Sequence, residues 1–284
     1  GRELWSVFPD KAGTAQRRSS SIYPWMNCVR MQDHLLVLSV GGEVLAIDTL
    51  RARVPDADPM ILWRTDVLPA DPQLRNQLSQ GFRRGSSKPR WFDGAPNQSQ
   101  ITNQISRVGP ITDGGVTFIR NRELVSVDPL TGKENWVQKG MHPLSEVFGD
   151  SEHVFVLPPD SNKVEVYSSL DGTQEGTRSV PALENRWTTA GAQILCWRKA
   201  DAPHAPHAPQ SDNRQWALAL YDPWTETDRW VHPVSESAKA TLVDQDGVAV
   251  FEKTTGSFVI LDRGDGEVLI EHMQKPDLGV QGIY

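Results

Sequence analysis

A chain of 284 residues with a net charge of −7 and 38% apolar residues has room for one large all-β domain or two ordinary domains. Its 22 glycines and 20 prolines fit a turn-rich globular protein and exclude a helical bundle or a disordered tail. No apolar run approaches the ~18 residues of a membrane span, and the acidic balance argues against broad nucleic-acid affinity, so neither is expected.

In chain order, the opening GRELW places Gly1 and Trp5 four apart and reads as the outer strand (1–9) of a preceding unit. A first unit, 26–68, carries Asp48 in AIDTL and, after a lengthened turn, Trp63. The second, 101–140, runs through QISRVGPIT, GGVTFIRN, RELVSVD and KENWVQK, four short strands with Asp128, a Thr-Gly turn at Gly132, and Trp136. The third, 145–181, holds YSSLDGTQEG, with Ser168 and Gly172 in frame and Gly176 in the tryptophan position. The fourth, 186–234, holds YDPWTETDRW, with Asp222 and Trp230. The fifth, 238–274, repeats the scheme as KATLVDQ, GVAVFEK, SFVILD and EVLIEH, with Asp262, Gly266 and Ile270. LGVQGIY at 278–284 reads as the first strand of a following unit.

The frame is periodic. Asp128 to Ser168 and Asp222 to Asp262 are both 40 residues, Ser168 to Asp222 is 54, one period with a 14-residue excess, and Asp48 to Asp128 is 80, one period plus about another of inserted sequence. A four-stranded unit of this size is that of a propeller blade. The Asp begins a turn by accepting a nearby backbone N–H, and the glycine four residues on supplies a positive φ. Ten tryptophans against four tyrosines imply a repeated packing role. Each outer-strand Trp can bury ~150–250 Å² against a neighbouring blade, at most ~4–6 kcal/mol. The contact after the third unit, with Gly176 in place of Trp, is expected to be the weakest. Cys28 and Cys196 form no CxxC or adjacent pair. Two buried free thiols are expected, one disulfide being the alternative.

LVSVDPLTGKENW resembles the pyrroloquinoline-quinone-type (PQQ-like) β-propeller repeat, a WD40-like architecture built on an aliphatic strand, Asp, a Thr-Gly turn and Trp. The resemblance is strongest at 115–140 and 216–232. It implies an all-β propeller of four-stranded antiparallel blades, about five in this chain, as part of a larger ring of about seven or eight; a closed five-bladed ring is the alternative. The rest of the same polypeptide is then expected to be missing. The family includes quinoprotein dehydrogenases, an outer-membrane assembly lipoprotein and exported scaffolds, which points to an extracytoplasmic, periplasmic or exported, location.

A fold of this kind does not name an activity. The preferred reading is a non-catalytic scaffold or macromolecular binding module with no cofactor. The alternative is a quinoprotein dehydrogenase holding PQQ with calcium, or a degenerate small-ligand propeller. Against the enzyme, the sequence has no adjacent cysteine pair and no G-x-S-x-G, phosphate-loop or metal-ligand motif.

Function is therefore sought in three insertions expected to crowd one face: Val7–Trp25, Pro69–Gln100 and Ala200–Gln215. The second reads as a short amphipathic helix, with Leu74, Leu78 and Phe82, followed by a basic stretch. Arg75, Arg83, Arg84, Lys88 and Arg90 occur there with no acid between them, tipped by Trp91 and Phe92, and Arg17 and Arg18 are expected on the same face. This is the candidate contact for an acidic protein or other macromolecule; the plain alternative is a solvated loop. His204 and His207, three apart in PHAPHAP, read as a flexible Pro/Ala loop rather than a metal site.

Overall fold

In the computed structural model, residues 26–40, 43–50, 60–67, 108–143, 145–159, 161–199, 216–243, 246–253 and 255–273 are described. The three insertions and both terminal segments lie outside them. The described residues are all-β, with one 3₁₀ turn at Leu183–Asn185.

Twenty strands form five four-stranded antiparallel sheets. The first contains β1 (Met26–Gln32), β2 (Leu35–Val40), β3 (Glu43–Asp48) and β4 (Met60–Asp66); the second, β5 (Val108–Thr112), β6 (Gly115–Arg120), β7 (Glu123–Val127) and β8 (Glu134–Lys139). The third contains β9 (Glu146–Gly149), β10 (His153–Leu157), β11 (Lys163–Ser168) and β12 (Gln174–Ser179). The fourth contains β13 (Arg186–Ala190), β14 (Gln193–Lys199), β15 (Trp216–Asp222) and β16 (Thr227–Val234); the fifth, β17 (Ala238–Leu242), β18 (Gly247–Glu252), β19 (Ser257–Asp262) and β20 (Val268–Met273). Within every sheet the strands lie side by side in chain order, so each sheet is a meander closed by short turns.

The chain divides into two compact units, and one boundary falls inside β12: Lys163–Thr177 belongs to the first, with β1 to β10, and Arg178 onward to the second, which also takes Ser161 and Asn162. In the first unit β1 lies beside β5 and β5 beside β9, and the sheets pack face to face. Val37, Val44, Ala46, Val116, Phe118 and Val125 form one apolar layer, and Ile119, Leu124, Val147, Val154 and Val156 form another. In the second unit Leu195, Leu218, Leu220, Val248, Val250 and Leu261 join Trp187, Trp197, Trp216 and Trp230 in a single cluster.

The middle strands are buried almost end to end: five of six residues in β6 and all six in β18. Both faces of these strands meet apolar neighbours, which is why GVTFIR and GVAVFE read as nearly continuous runs rather than strict alternation. Burial falls away outward, to an entirely exposed β20.

The outer strands share a second regularity. Trp63 pairs with Ala46, Trp136 with Ser126, Trp230 with Leu220 and Ile270 with Ile260, and in each case the register slips at the next pair. The slip is a β-bulge, which twists the strand locally and interrupts the regular ladder that an edge strand would offer another chain.

One charged pair lies deep in the fourth sheet. Arg198 on β14 donates Nη2 to Asp228 Oδ1 (2.7 Å) and Nε to Oδ2 (3.2 Å), with its guanidinium 5.5 Å over the Tyr221 ring. Each group compensates the other's loss of water. On the same strand, Cys196 is a free, fully buried thiol, and burial pushes its pKa up to about 12. The side chain of Cys28 lies outside the described set. The thiolate is the reactive form, so native protein in mildly alkaline buffer should leave Cys196 unmodified by iodoacetamide. Unfolding in guanidinium should make it react at the rate of a free thiol. Peptide mass spectrometry follows the site, and rapid native labelling would show that β14 opens to solvent.

Candidate interaction surface

The repeat positions are built from the turn upward. At the mouth of each third-to-fourth-strand turn a carboxylate accepts backbone N–H groups two or three residues on: Asp48 from Leu50 (2.9 Å), Asp222 from Trp224 (2.9 Å), and Asp262 from Gly264 (2.7 Å) and Asp265 (3.3 Å). Asp128 Oδ1 accepts from Leu130 N (3.1 Å), Thr131 N (2.7 Å) and Thr131 Oγ1 (2.8 Å). Ser168 heads the turn in the third sheet, where Asp171 accepts from Thr173 N (2.9 Å).

The chain then reverses at a residue in the left-handed region: Gly132 (φ +68°), Gly172 (φ +71°) and Gly266 (φ +76°). The tryptophan of the preceding sheet rests on each of these glycines. A Cβ added to Gly132 would stand 2.6 Å from Trp63, one on Gly172 2.5 Å from Trp136, and one on Gly266 2.7 Å from Trp230. The same rings donate their indole N–H to the turn, Trp63 to Pro129 O (2.8 Å), Trp136 to Ser169 O (3.0 Å) and Trp230 to Arg263 O (2.8 Å). Each clasp thus combines an aromatic ring (buried for Trp136 and Trp230, half-buried for Trp63), a satisfied donor and a glycine that no other residue can replace without moving the ring.

The fourth sheet departs from this pattern. Glu226 holds the glycine position and keeps the left-handed backbone (φ +56°). Its Oε1 accepts the Ser179 N–H at 2.7 Å, Tyr221 donates its hydroxyl to Ser179 O (2.9 Å), and the Arg178 guanidinium lies 4.7 Å from the Trp224 ring centre. The positive φ at a glutamate is not signalled by residue type. It becomes legible only once the five turns are aligned.

Of the remaining positions singled out from the sequence, Trp5 and the whole basic stretch, Arg75, Arg83, Arg84, Lys88, Arg90, Trp91 and Phe92, lie outside the described residues. Among the described residues no group of three or more His, Cys, Asp or Glu side chains is arranged to hold a metal ion.

Two exposed apolar features were not singled out from the sequence. β20 presents Val268, Leu269, Ile270 and Met273 at 48, 58, 52 and 67% exposure. The turns present Leu50, Leu130, Leu170 and Trp224, each two residues after the motif Asp or Ser. Aligning the turns would have shown that this position is apolar in four of five copies.

The sequence profile of the family described as outer membrane protein assembly factor BamB matches residues 56–277. The chain belongs to this family. Its sheets are therefore β-propeller blades of the PQQ-like type. No curated protein matches the chain in sequence. Solved structures with a similar chain path include BamB from Moraxella catarrhalis, at 10% identity and TM-score 0.38, over 87% of this chain and 63% of that one. Others are Kluyvelomyces marxianus Hsv2 (9%, 0.43, 89% and 66%) and a europium-containing methanol dehydrogenase (12%, 0.38, 89% and 53%). The chain thus spans less than two thirds of that BamB structure's length.

Two expectations follow from the clasp. Gly140 also has a positive φ (+89°), with no atom within 4 Å of an added Cβ. Gly140→Ala should therefore cost only the left-handed backbone, about 1–2 kcal/mol. Gly172→Ala should cost a further ~1–3 kcal/mol for displacing Trp136. Urea unfolding compares them, and equal losses would mean that the ring yields freely. Separately, the Thr131 hydroxyl and then its backbone N–H hold the Asp128 pKa below its ordinary value. A lowered folded-state pKa gives stability that is complete above the ordinary carboxylate range and lost as pH falls through the lowered one. Thr131→Val should shift the Asp128 midpoint upward in an NMR titration; an unmoved midpoint would remove the hydroxyl as the cause.

Proposed function

We propose that this BamB-family chain is a non-catalytic propeller scaffold that holds protein partners outside the cytoplasm. One observation carries the reading: the groups in the repeat best equipped for chemistry are engaged in architecture. The Asp48, Asp128, Asp222 and Asp262 carboxylates accept backbone N–H groups within their own turns. The indole N–H donors of Trp63, Trp136 and Trp230 are bound to neighbouring turns. A rigid set of blades with long insertions between strands is the form a binding module takes. The family's description as an outer membrane protein assembly factor supports both an extracytoplasmic location and a protein partner.

Within this reading the basic stretch from Arg75 to Arg90, with Trp91 and Phe92, is the contact for an acidic partner surface. Five cations with no intervening acid, in a chain of net charge −7, form a local field of opposite sign to the whole. Titration with pyrroloquinoline quinone and calcium should leave the melting temperature unchanged, and a concentration-dependent rise would overturn the scaffold reading in favour of a quinoprotein. Polyglutamate should bind the parent protein, and Arg83→Glu with Arg84→Glu should weaken that binding. Unchanged binding would remove this stretch from the interface.

A further inference from the structure

In the first unit, the large apolar side chains exposed among the described residues are Leu50, Leu130 and Leu170, at 46, 67 and 87%. Single exposed leucines are ordinary on protein surfaces. These three share one register, the second residue after Asp48, Asp128 and Ser168, in equivalent turns of consecutive blades.

The turns share one end of the unit. Within each blade the third-to-fourth-strand turn, or the start of the strand that follows it, is tied to the first-to-second-strand turn: Thr49 N to His34 O (2.9 Å), Asn135 Nδ2 on β8 to Gly114 O (2.8 Å) and Ser169 N to Glu152 O (2.9 Å). Between blades, Trp63 and Trp136 bind the Pro129 and Ser169 carbonyls immediately before Leu130 and Leu170. Leu130 and Leu170 therefore stand on a backbone held both within and between blades, and Leu50 on one held within its blade, which lowers the ordering cost of binding.

Among the described residues of these turns the charge is predominantly negative. An aspartate stands in each of the six turns: Asp33, Asp48, Asp113, Asp128, Asp150 and Asp171. Among the described residues of those turns, Lys133 is the one lysine or arginine; in the sequence, Arg51 and Arg53 follow Leu50 together with Asp56 and Asp58, which leaves the turns net acidic. Turn hydrogen bonds hold the Asp128 and Asp171 pKa values below the ordinary one, so both stay charged through mild acidity. Such a surface repels phosphate-rich partners, whether nucleic acid or anionic membrane, and attracts cations lying beside apolar groups.

We propose that this end of the first unit is a docking surface for a protein segment that interleaves apolar side chains with lysine or arginine. The segment's apolar groups cover Leu50, Leu130 and Leu170 while its cations meet the turn aspartates. The proposal deepens the scaffold reading and rests on it, but uses residues other than the basic stretch at Arg75–Arg90. The scaffold then has contacts of opposite charge preference for two different partners.

The test uses the full chain, a short fluorescent peptide of alternating leucine and lysine, a matched leucine–glutamate peptide, and vesicles containing phosphatidylglycerol. The leucine–lysine peptide should bind, more weakly at raised salt. The triple variant Leu50→Ser, Leu130→Ser, Leu170→Ser should lose at least about tenfold in affinity, a factor worth ~1.4 kcal/mol, at unchanged melting temperature. The variant with Arg83→Glu and Arg84→Glu should bind this peptide as the parent does, which separates this surface from the acidic-partner contact. Should the triple variant fail to fold, Leu170→Ser alone, at the most exposed of the three positions, makes the comparison. Equal affinity in the leucine variants, equal binding of the leucine–glutamate peptide, or capture by vesicles in place of the peptide would each overturn the proposal.

Discussion

The structure depends on one contact made repeatedly: an indole ring laid on a glycine that can have no Cβ. At Gly132, Gly172 and Gly266 an added Cβ would lie 2.5–2.7 Å from the tryptophan of the preceding blade. The glycine is required twice over, once by its left-handed backbone and once by the ring above it. The indole N–H needs a partner once buried, and the carbonyl it finds lies just after the motif residue that opens the turn. Asp, Gly and Trp are thus parts of one device: the Asp shapes the turn, the glycine admits the ring, and the ring joins two sheets that hydrogen bonds along their strands do not connect.

The coupling explains where the motif fails. The third repeat has Gly176 in the tryptophan register, and the turn that follows it in sequence has Glu226 in the glycine register. Loss of the ring removes the steric half of the requirement, and only the positive φ remains, which Glu226 tolerates at +56°. In the second unit that turn is held by polar contacts instead, through Ser179, Tyr221 and Glu226, with Arg178 over Trp224. The division of the chain into two compact units falls inside β12, the strand that carries Gly176.

Much of the fold was legible because its signals are local and repeated. Two independent intervals of 40 residues fixed the unit, and turn residues divided each unit into four short strands. Continuous burial of the middle strands was less legible, since GVTFIR read alone suits a half-buried strand as well as a sandwiched one. Within the candidate site, Leu130 is plain in DPLTG but looks like any turn residue until Leu50, Leu170 and Trp224 are set beside it. The β-bulges beside the tryptophans left no mark in residue type, because a bulge is a property of pairing and not of one strand. The basic stretch was legible by charge alone, and charge identifies a class of partner rather than a geometry.

The repeat also separates the positions that hold the architecture from the one that is free to vary. Asp is held by its turn, Gly by its φ and the ring, and Trp by burial, so change at any of the three destabilises the blade. The second residue after the Asp is constrained only through its backbone N–H, which every residue but proline supplies. Its side chain is exposed where there is one, and the five copies read Leu, Leu, Leu, Trp and Gly. The turn therefore offers one rigid position per blade whose identity can change at little cost to the fold. In the first unit this position is leucine in all three blades, beside the turn aspartates.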